Sequence, residues 1–233
     1  MMGDKNKQII RDMFNDISPR YDFLNHFLSF GMDVFWRKKL VRSMIINRNE
    51  TILDAACGTG DLSHLFLKKY RNLNPDLTAL DISSGMLKLA QGKMIEFQIR
   101  IVEGDVENLP FDSQSFNHVM IAFGIRNLEN SDKGLHELSR VLKSGGSLNI
   151  LEFSVPHLFP LNFLFPYYFH RILPIFGKII SGHTSAYTYL PESVNNFPNP
   201  EDFVDMIRQA GFTNIRMKSL SGGICSLYQA VKI

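Results

Sequence analysis

Cysteine is almost absent. The two present, Cys57 and Cys225, cannot build a disulfide framework, and neither stands in a C-x-x-C or Cys/His spacing that would hold a metal, so no metal is expected. Charge of one sign is lacking too: 25 lysines and arginines against 23 aspartates and glutamates leave a net charge of +2, and no basic block occurs. That removes the excess needed to grip a nucleic-acid backbone, and no nucleic-acid partner is expected. Long apolar runs are also missing. The most hydrophobic stretch, Val155 to Tyr189, is interrupted by Pro156, Pro160, Asn162, Pro166, His170, Arg171 and Pro174, so it falls short of the ~18 uninterrupted apolar residues of a transmembrane span. The opening residues, Met1-Met2-Gly3-Asp4-Lys5, form no apolar signal region, and the expected compartment is reducing, the cytoplasm. No internal repeat or low-complexity segment is found.

What is present fits one sizeable α/β domain with additions: 233 residues, 45% of them hydrophobic, are too few for two comfortable cores. Runs of strand character at Thr51 to Ala55, Leu77 to Ile82, Gln98 to Val102, Phe116 to Phe123 and Ser147 to Phe153 alternate with helical patterns at Leu62 to Tyr70, Ser84 to Met94 and Lys133 to Leu142. The last helix is expected to stop at Gly145-Gly146. This alternation predicts a doubly wound, mostly parallel sheet. A helix at Pro200 to Gln209 and two strands, Asn214 to Lys218 and Cys225 to Val231, add an antiparallel pair and bring the total to seven strands.

Two segments are surplus to that core. Residues 1–48 read as a helical cover, with a helix at Lys5 to Phe14, an irregular stretch from Ile17 to Gly31, and a helix from Val34 to Ile46 capped by Asp33. Residues 155–199 read as an apolar insertion ahead of the last helix, between the core at 49–154 and the closing unit at 200–233. Its Phe159, Phe163, Phe165, Phe169 and Phe176 either pack on the sheet or face a lipid surface, since amphipathic core helices and interfacial helices share one pattern.

Chemistry concentrates at Asp54-Ala55-Ala56-Cys57-Gly58-Thr59-Gly60-Asp61, where a buried strand meets two glycines and then a helix. Such a turn lets a ligand lie against bare backbone at a helix N-terminus. Asp81 follows at the end of the next strand, about 20 residues on, where a carboxylate can accept both hydroxyls of a ribose. The third glycine of a dinucleotide fingerprint is replaced by Ser63, and Asp61 would repel phosphate. A nucleoside without phosphates, carrying a cationic part, is expected; S-adenosylmethionine meets that description. After the third strand, Asp105 can accept from the exocyclic amine of adenine and Val106 can pack on its face.

These motifs together resemble the class I S-adenosylmethionine-dependent methyltransferases. Tyr21-Asp22-Phe23-Leu24-Asn25 with Ser29-Phe30-Gly31 and Trp36-Arg37, Leu109-Pro110-Phe111, Ala122-Phe123-Gly124-Ile125-Arg126-Asn127, and Leu151-Glu152-Phe153-Ser154 narrow the resemblance to the ubiquinone/menaquinone biosynthesis C-methyltransferases, over nearly the whole chain. The resemblance implies cofactor contacts at Asp54, Gly58, Thr59, Gly60, Asp81, Ile82, Asp105, Val106 and Ala122. Some relatives carry serine at the last of these, and Ala122 offers no side-chain hydrogen bond there. It also implies the acceptor, a polyprenylated quinol methylated on a ring carbon, with Tyr21, Asn25, Trp36, His183, Tyr187 and Tyr189 facing it. Demethylmenaquinol is the favoured acceptor and a benzoquinol of the ubiquinone pathway the nearest alternative. Peripheral contact with the inner face of a membrane and a homo-oligomer are left open.

Orientation of a methyl donor against a carbon nucleophile can supply up to about 7–11 kcal/mol of the catalysis. A phenol of pKa about 10 still costs roughly 4 kcal/mol to ionise at pH 7, so a group that stabilises its oxyanion is expected. Arg126, whose guanidinium keeps its charge, is the candidate, with Asn127 for the second ring oxygen. The alternative for Arg126 is a structural pair with Asp22 or Glu152. His183, Tyr187, Tyr189 and Tyr21 are the candidate proton acceptors. The Asn/Asp-Pro-Pro-aromatic block expected of amine methyltransferases on this fold is replaced by Ala122-Phe123-Gly124-Ile125. From a different class, a non-catalytic subunit of a quinone-making assembly would need no Arg126 and Asn127 beside an intact glycine loop.

Overall fold

In a computed structural model that describes residues 7–156, 159–168, 171 and 185–233, seven strands form one sheet in the order β3-β2-β1-β4-β5-β7-β6. They are β1 (Thr51–Ala55), β2 (Asp76–Asp81), β3 (Arg100–Glu103), β4 (Phe116–Ala122), β5 (Leu142–Phe153), β6 (Phe212–Leu220) and β7 (Cys225–Lys232). The first five are parallel, and β7 runs antiparallel to both β5 and β6. The predicted doubly wound sheet with an antiparallel closing pair is therefore present. Its strand order reverses between β1 and β4, and the crevice beyond their carboxyl ends is where such sheets bind ligands.

Strands β1, β2 and β4 read as nearly continuous apolar runs because both their faces are covered. Leu53, Ile121, Leu148 and Ile150 face α5 (Ser131–Val141) and α8 (Pro200–Gln209) through Leu135, Leu138, Phe203 and Ile207. On the other face Ile52, Leu77, Ala79 and Met120 meet α2 (Met32–Ser43), α3 (Asp61–Tyr70) and α4 (Ser84–Lys93) through Trp36, Leu40, Phe66 and Ala90. A third, smaller apolar cluster joins Ile17 and Leu28 of α1 (Lys7–Leu28), Phe165 of α6 (Leu161–Tyr167) and Val194 of α7 (Ser185–Asn195).

Three expectations are corrected. The stretch from Ile17 to Gly31 is not irregular: α1 runs unbroken through Pro19. Proline cannot donate to the Asn15 carbonyl one turn back, and the Ser18 hydroxyl donates to that carbonyl instead, at 2.9 Å. Second, Asp33 does not cap α2; Gly31 does, in the left-handed conformation, which frees Asp33 to pair with Arg37 one turn on. Third, Gly145 and Gly146 do not stop a helix. They lie inside β5, beside a register shift in its pairing with β4. A Cβ on Gly146 would stand 2.8 Å from the Lys143 carbonyl and 2.9 Å from that of Asn117.

Candidate functional site

The carboxyl ends of β1, β2 and β4 and the loop after β3 enclose a cleft lined by Asp54, Gly58, Thr59, Asp81, Ile82, Asp105, Val106 and Ala122. All but one of the predicted cofactor residues thus meet there. The exception, Gly60, sits behind: with φ +82, its absent Cβ would stand 2.8 Å from Met94 Cε, so glycine lets the α3 terminus seat against α4. Gly58, at φ +57, has open space where a Cβ would be, leaving backbone bare to the cleft.

Two buried carboxylates dominate the electrostatics. Asp81 accepts from the Gly58 N–H at 2.8 Å and the Ser83 N–H at 2.9 Å. Burial nonetheless raises its pKa. Asp54 accepts from the Ser63 hydroxyl through Oδ2 at 2.5 Å, while its Oδ1 has no hydrogen-bond partner among the described residues. Burial pushes the Asp54 pKa up to about 7. A buried carboxylate oxygen without a partner is costly, and a cationic donor arriving in the cleft would relieve it.

Helix α1 lies across this cleft and is tied to three strand ends. Lys7 pairs with Asp105 at 2.8 Å and Glu107 at 3.0 Å. Asn15 accepts from the Ser83 hydroxyl and the Gly85 N–H, and Asp22 accepts from Lys93 and from the Thr59 hydroxyl. The Asp105 carboxylate expected to meet adenine is therefore engaged by Lys7. Asp61, which also lines the cleft, is paired with Lys93. His26, Asp33 and Asp61 bring potential ligand atoms within 4.8 Å of one another, but Asp33 and Asp61 are already held by Arg37 and Lys93.

Next to the cleft is a second cavity of about 300 Å³. Its walls are apolar, with Trp36, Phe123, Phe153, Leu164, Phe165 and Tyr168 among them, and Asn25 and Arg126 at the polar end. Trp36 donates its indole N–H to the Ser221 hydroxyl at 2.8 Å. The Arg37 guanidinium lies 5.1 Å from the Phe123 ring centre and that of Arg126 5.3 Å from Phe153, so each cation rests on an aromatic wall. Tyr21, Arg37 and Phe123 line both cavities and form the boundary between them.

Arg126 is 5% exposed and pairs with the fully buried Glu152 at 2.9 Å, donating also to the Phe123 carbonyl and to Ser193. Of the two readings left open for it, the structural pair is present, yet the side chain still lines the apolar cavity. Asn127 lines the cleft, donates to the Phe123 carbonyl at 3.3 Å and accepts from the Tyr189 hydroxyl at 3.1 Å. Tyr189 joins Tyr21, Asn25 and Arg126 around a third, small cavity. Burial raises the pKa of Tyr21, the Arg126 and Arg37 charges opposing it, and burial likewise raises that of Tyr189. His183 and the side chain of Tyr187 lie outside the described residues.

Sequence reasoning passed over Lys7, quoted Arg37 without a role, and offered Asp22 only as a partner for Arg126, whereas it meets Thr59 and Lys93. The i, i+4 spacing of Asp33 and Arg37 was a usable signal for an ion pair on one helix face. No local signal marks Lys7 or Asp22, whose partners are remote in the chain.

The chain matches the ubiE/COQ5 methyltransferase family over residues 1–232. It is 40% identical over 235 residues to a demethylmenaquinone methyltransferase of Bacteroides fragilis, covering 99% of this chain and 94% of that one. It is 38% identical to a ubiquinone/menaquinone biosynthesis C-methyltransferase UbiE of Rickettsia bellii, covering 99% and 95%. Among solved structures, a SAM-dependent methyltransferase from Aquifex aeolicus superposes with a TM-score of 0.62 at 17% identity, covering 84% of this chain and 89% of that one, which bears on the fold alone.

Proposed function

Because the chain belongs to the ubiE/COQ5 methyltransferase family, we propose that it methylates a ring carbon of a polyprenylated hydroquinone, demethylmenaquinol, with S-adenosylmethionine as donor. The observation that carries this reading is the junction of two unlike cavities at Tyr21, Arg37 and Phe123. One side is acidic and glycine-lined, the other apolar and aromatic. A cationic nucleoside suits the first and a quinol ring with an isoprenoid tail the second.

The donor set fits the nucleoside. Asp81, already held by two backbone N–H groups, keeps lone pairs for ribose hydroxyls. Asp54 Oδ1 is an unpartnered buried acceptor for the ammonium, and Val106 supplies an apolar face for the base. When bound, S-adenosylmethionine would supply the methyl group, its S–CH3 bond breaking to leave S-adenosylhomocysteine as the bond to the ring carbon forms, with the ring proton lost to water afterwards.

The protein's own contribution is orientation, dryness and a fixed field. Phe123 and Phe153, their rings tilted by 36° with centres 4.6 Å apart, present an apolar wall that excludes water. Tyr21, protonated at neutral pH like any phenol and held further from ionisation by burial, serves as a donor to a quinol oxygen that gains negative charge and not as the proton acceptor expected of it. Arg37 and Arg126 stand behind it. Each is neutralised as a pair, by Asp33 and Glu152, and contributes oriented N–H dipoles more than net charge. Asn127, fixed by Tyr189 and Phe123, supports the second ring oxygen.

Incubating the purified chain with S-adenosylmethionine and a short-chain demethylmenaquinol is expected to add the mass of one methyl group to the quinol. A short-chain 2-prenyl-6-methoxy-1,4-benzoquinol, run in parallel, reports acceptor choice. A folded protein that binds S-adenosylhomocysteine yet transfers no methyl group to either ring is a scaffold, and the proposal fails.

A further inference from the structure

Two exposed aromatic stripes flank the apolar cavity. On α1, Phe23 and Phe27 stack at 5.9 Å between ring centres, and Phe30 follows one turn later with 82% of its surface exposed. On the other side Phe159, Phe163 and Tyr167 stand four residues apart, the first two 87% and 71% exposed. The inward-facing residues of the same segments, Leu28, Leu161 and Phe165, line the cavity. The stripes are joined where the Tyr168 hydroxyl donates to the Leu28 carbonyl at 2.7 Å and its ring lies 6.2 Å from that of Phe30. Phe30 and Leu164 are at once exposed and cavity-lining, so they mark the mouth: the cavity opens between the stripes.

A cationic groove continues from this patch along α2. Phe35, Lys39 and Arg42 stand on one face of that helix, with the Lys39 ammonium 5.3 Å from the Phe35 ring centre. Lys39 and Arg42 face Arg216 and Lys218 of the edge strand β6 across a groove of about 410 Å³. None of the four forms an ion pair among the described residues. Elsewhere on this molecule cations near the ligand cleft are paired with acids, as Lys7, Lys93 and Arg126 are.

Exposed aromatics in helical register around a cavity mouth, bordered by unpaired cations, are the two signals that hold a peripheral protein at an anionic lipid surface. We infer that this face docks on an anionic bilayer, with Phe23, Phe27, Phe30, Phe159, Phe163 and Tyr167 entering the headgroup region and the Lys39 groove meeting lipid phosphates. The cavity then opens toward the acyl chains, and an isoprenoid-tailed substrate reaches the ring-methylating site without crossing water. The last step rests on the proposed function; the docking surface does not. No helix among the described residues is long and apolar enough to cross a membrane.

The test is co-sedimentation of the full chain with vesicles of phosphatidylcholine alone and of phosphatidylcholine mixed with phosphatidylglycerol. The protein is expected to bind the mixed vesicles more tightly. Changing Phe23, Phe27, Phe159 and Phe163 together to serine should reduce that binding at least about a hundredfold, since each fully inserted phenylalanine contributes roughly tenfold or more. Lys39→Ala, Arg216→Ala and Lys218→Ala should each cost about fivefold on mixed vesicles and little on phosphatidylcholine. S-Adenosylhomocysteine binding and methylation of a short-chain quinol in detergent-free buffer should survive the serine changes. Loss of that methylation in the unaltered chain would count against the quinol reading and leave the docking result standing. The docking proposal is overturned if the unaltered chain stays in the supernatant with mixed vesicles, or if the serine variant sediments as it does. It is equally overturned if sedimentation equilibrium shows a dimer that the serine changes abolish, because the patch would then be a self-interface.

Discussion

Replacing Asp54 with asparagine is expected to make the ligand-free protein more stable at alkaline pH and to weaken its hold on a cationic nucleoside. Burial raises the Asp54 pKa from the usual 3.8 to about 7, a shift of roughly 3 units, or about 4 kcal/mol. The native state therefore keeps this proton up to about pH 7, whereas the unfolded chain loses it near pH 4. In that window the unfolded state binds fewer protons, so this one group makes stability fall as pH rises from about 4 to about 7, and the penalty is complete above. Asparagine has the same shape, can still accept from Ser63 through its carbonyl oxygen, and has no charge to desolvate. For a chain of this size ~1 kcal/mol corresponds to about 2–4 °C in Tm. Between pH 5 and pH 8 about two-thirds of that penalty develops, so the difference in Tm between Asp54→Asn and the unaltered protein should grow by roughly 5–10 °C. Calorimetry supplies the second arm. At about pH 6, S-adenosylhomocysteine binding should release close to one proton, because the ammonium drives Asp54 to its ionised form, and this release should vanish in the variant. Parallel melting curves across pH, together with proton-neutral binding, would refute the claim that burial keeps Asp54 protonated up to about pH 7.

Arg126→Met should leave the fully buried Glu152 without its cation and cost about 3–5 kcal/mol, read as a lowered denaturant midpoint. Adding Glu152→Gln should recover most of that loss but not turnover; recovered turnover would show that Arg126 only neutralises Glu152. Lys7→Ala frees Asp105, and S-adenosylhomocysteine should bind up to about fivefold more tightly at low salt, the value of a half-exposed ion pair, with unchanged affinity counting against competition at that carboxylate. Trp36→Phe removes the indole donor to Ser221 at nearly constant apolar wall, and KM for the quinol should rise while S-adenosylhomocysteine affinity stays; a fall in both would place Trp36 in the scaffold of the cleft.

Most of the sheet was legible because its central strands carry short apolar runs bounded by polar or glycine residues, and length and period together separate such runs from the amphipathic helices; β6, exposed along most of its length, is the exception. Asp81 and Asp105 were legible for a related reason. A parallel sheet brings every strand's carboxyl end to one edge, so acids at successive strand ends must meet whatever the loops do. The helix at Pro200–Gln209 was found to the residue, since Asn199 caps it and proline opens it.

What stayed hidden was whatever depends on contacts far apart in the chain. Pro19 marks a break by local rules, and only the Ser18 hydroxyl on the Asn15 carbonyl, with Ile17 and Leu28 buried against Phe165, keeps α1 intact. Lys7 meets Asp105, and Asn15 meets Ser83, across gaps of 98 and 68 residues; no window along the chain contains both partners. The same holds for Glu152, which was one of two acids proposed to neutralise Arg126 and was chosen by β5 lying next to β4. Strand adjacency, which the sequence does not state, decides between a free guanidinium and a paired one. Chemistry at strand ends can therefore be read from order and spacing alone, whereas the charge state of a site needs the lateral arrangement of the sheet. The cover over the cleft needs the long-range ties of α1, and the tie at Lys7 engages the Asp105 carboxylate that spacing along the chain marked as a candidate for adenine.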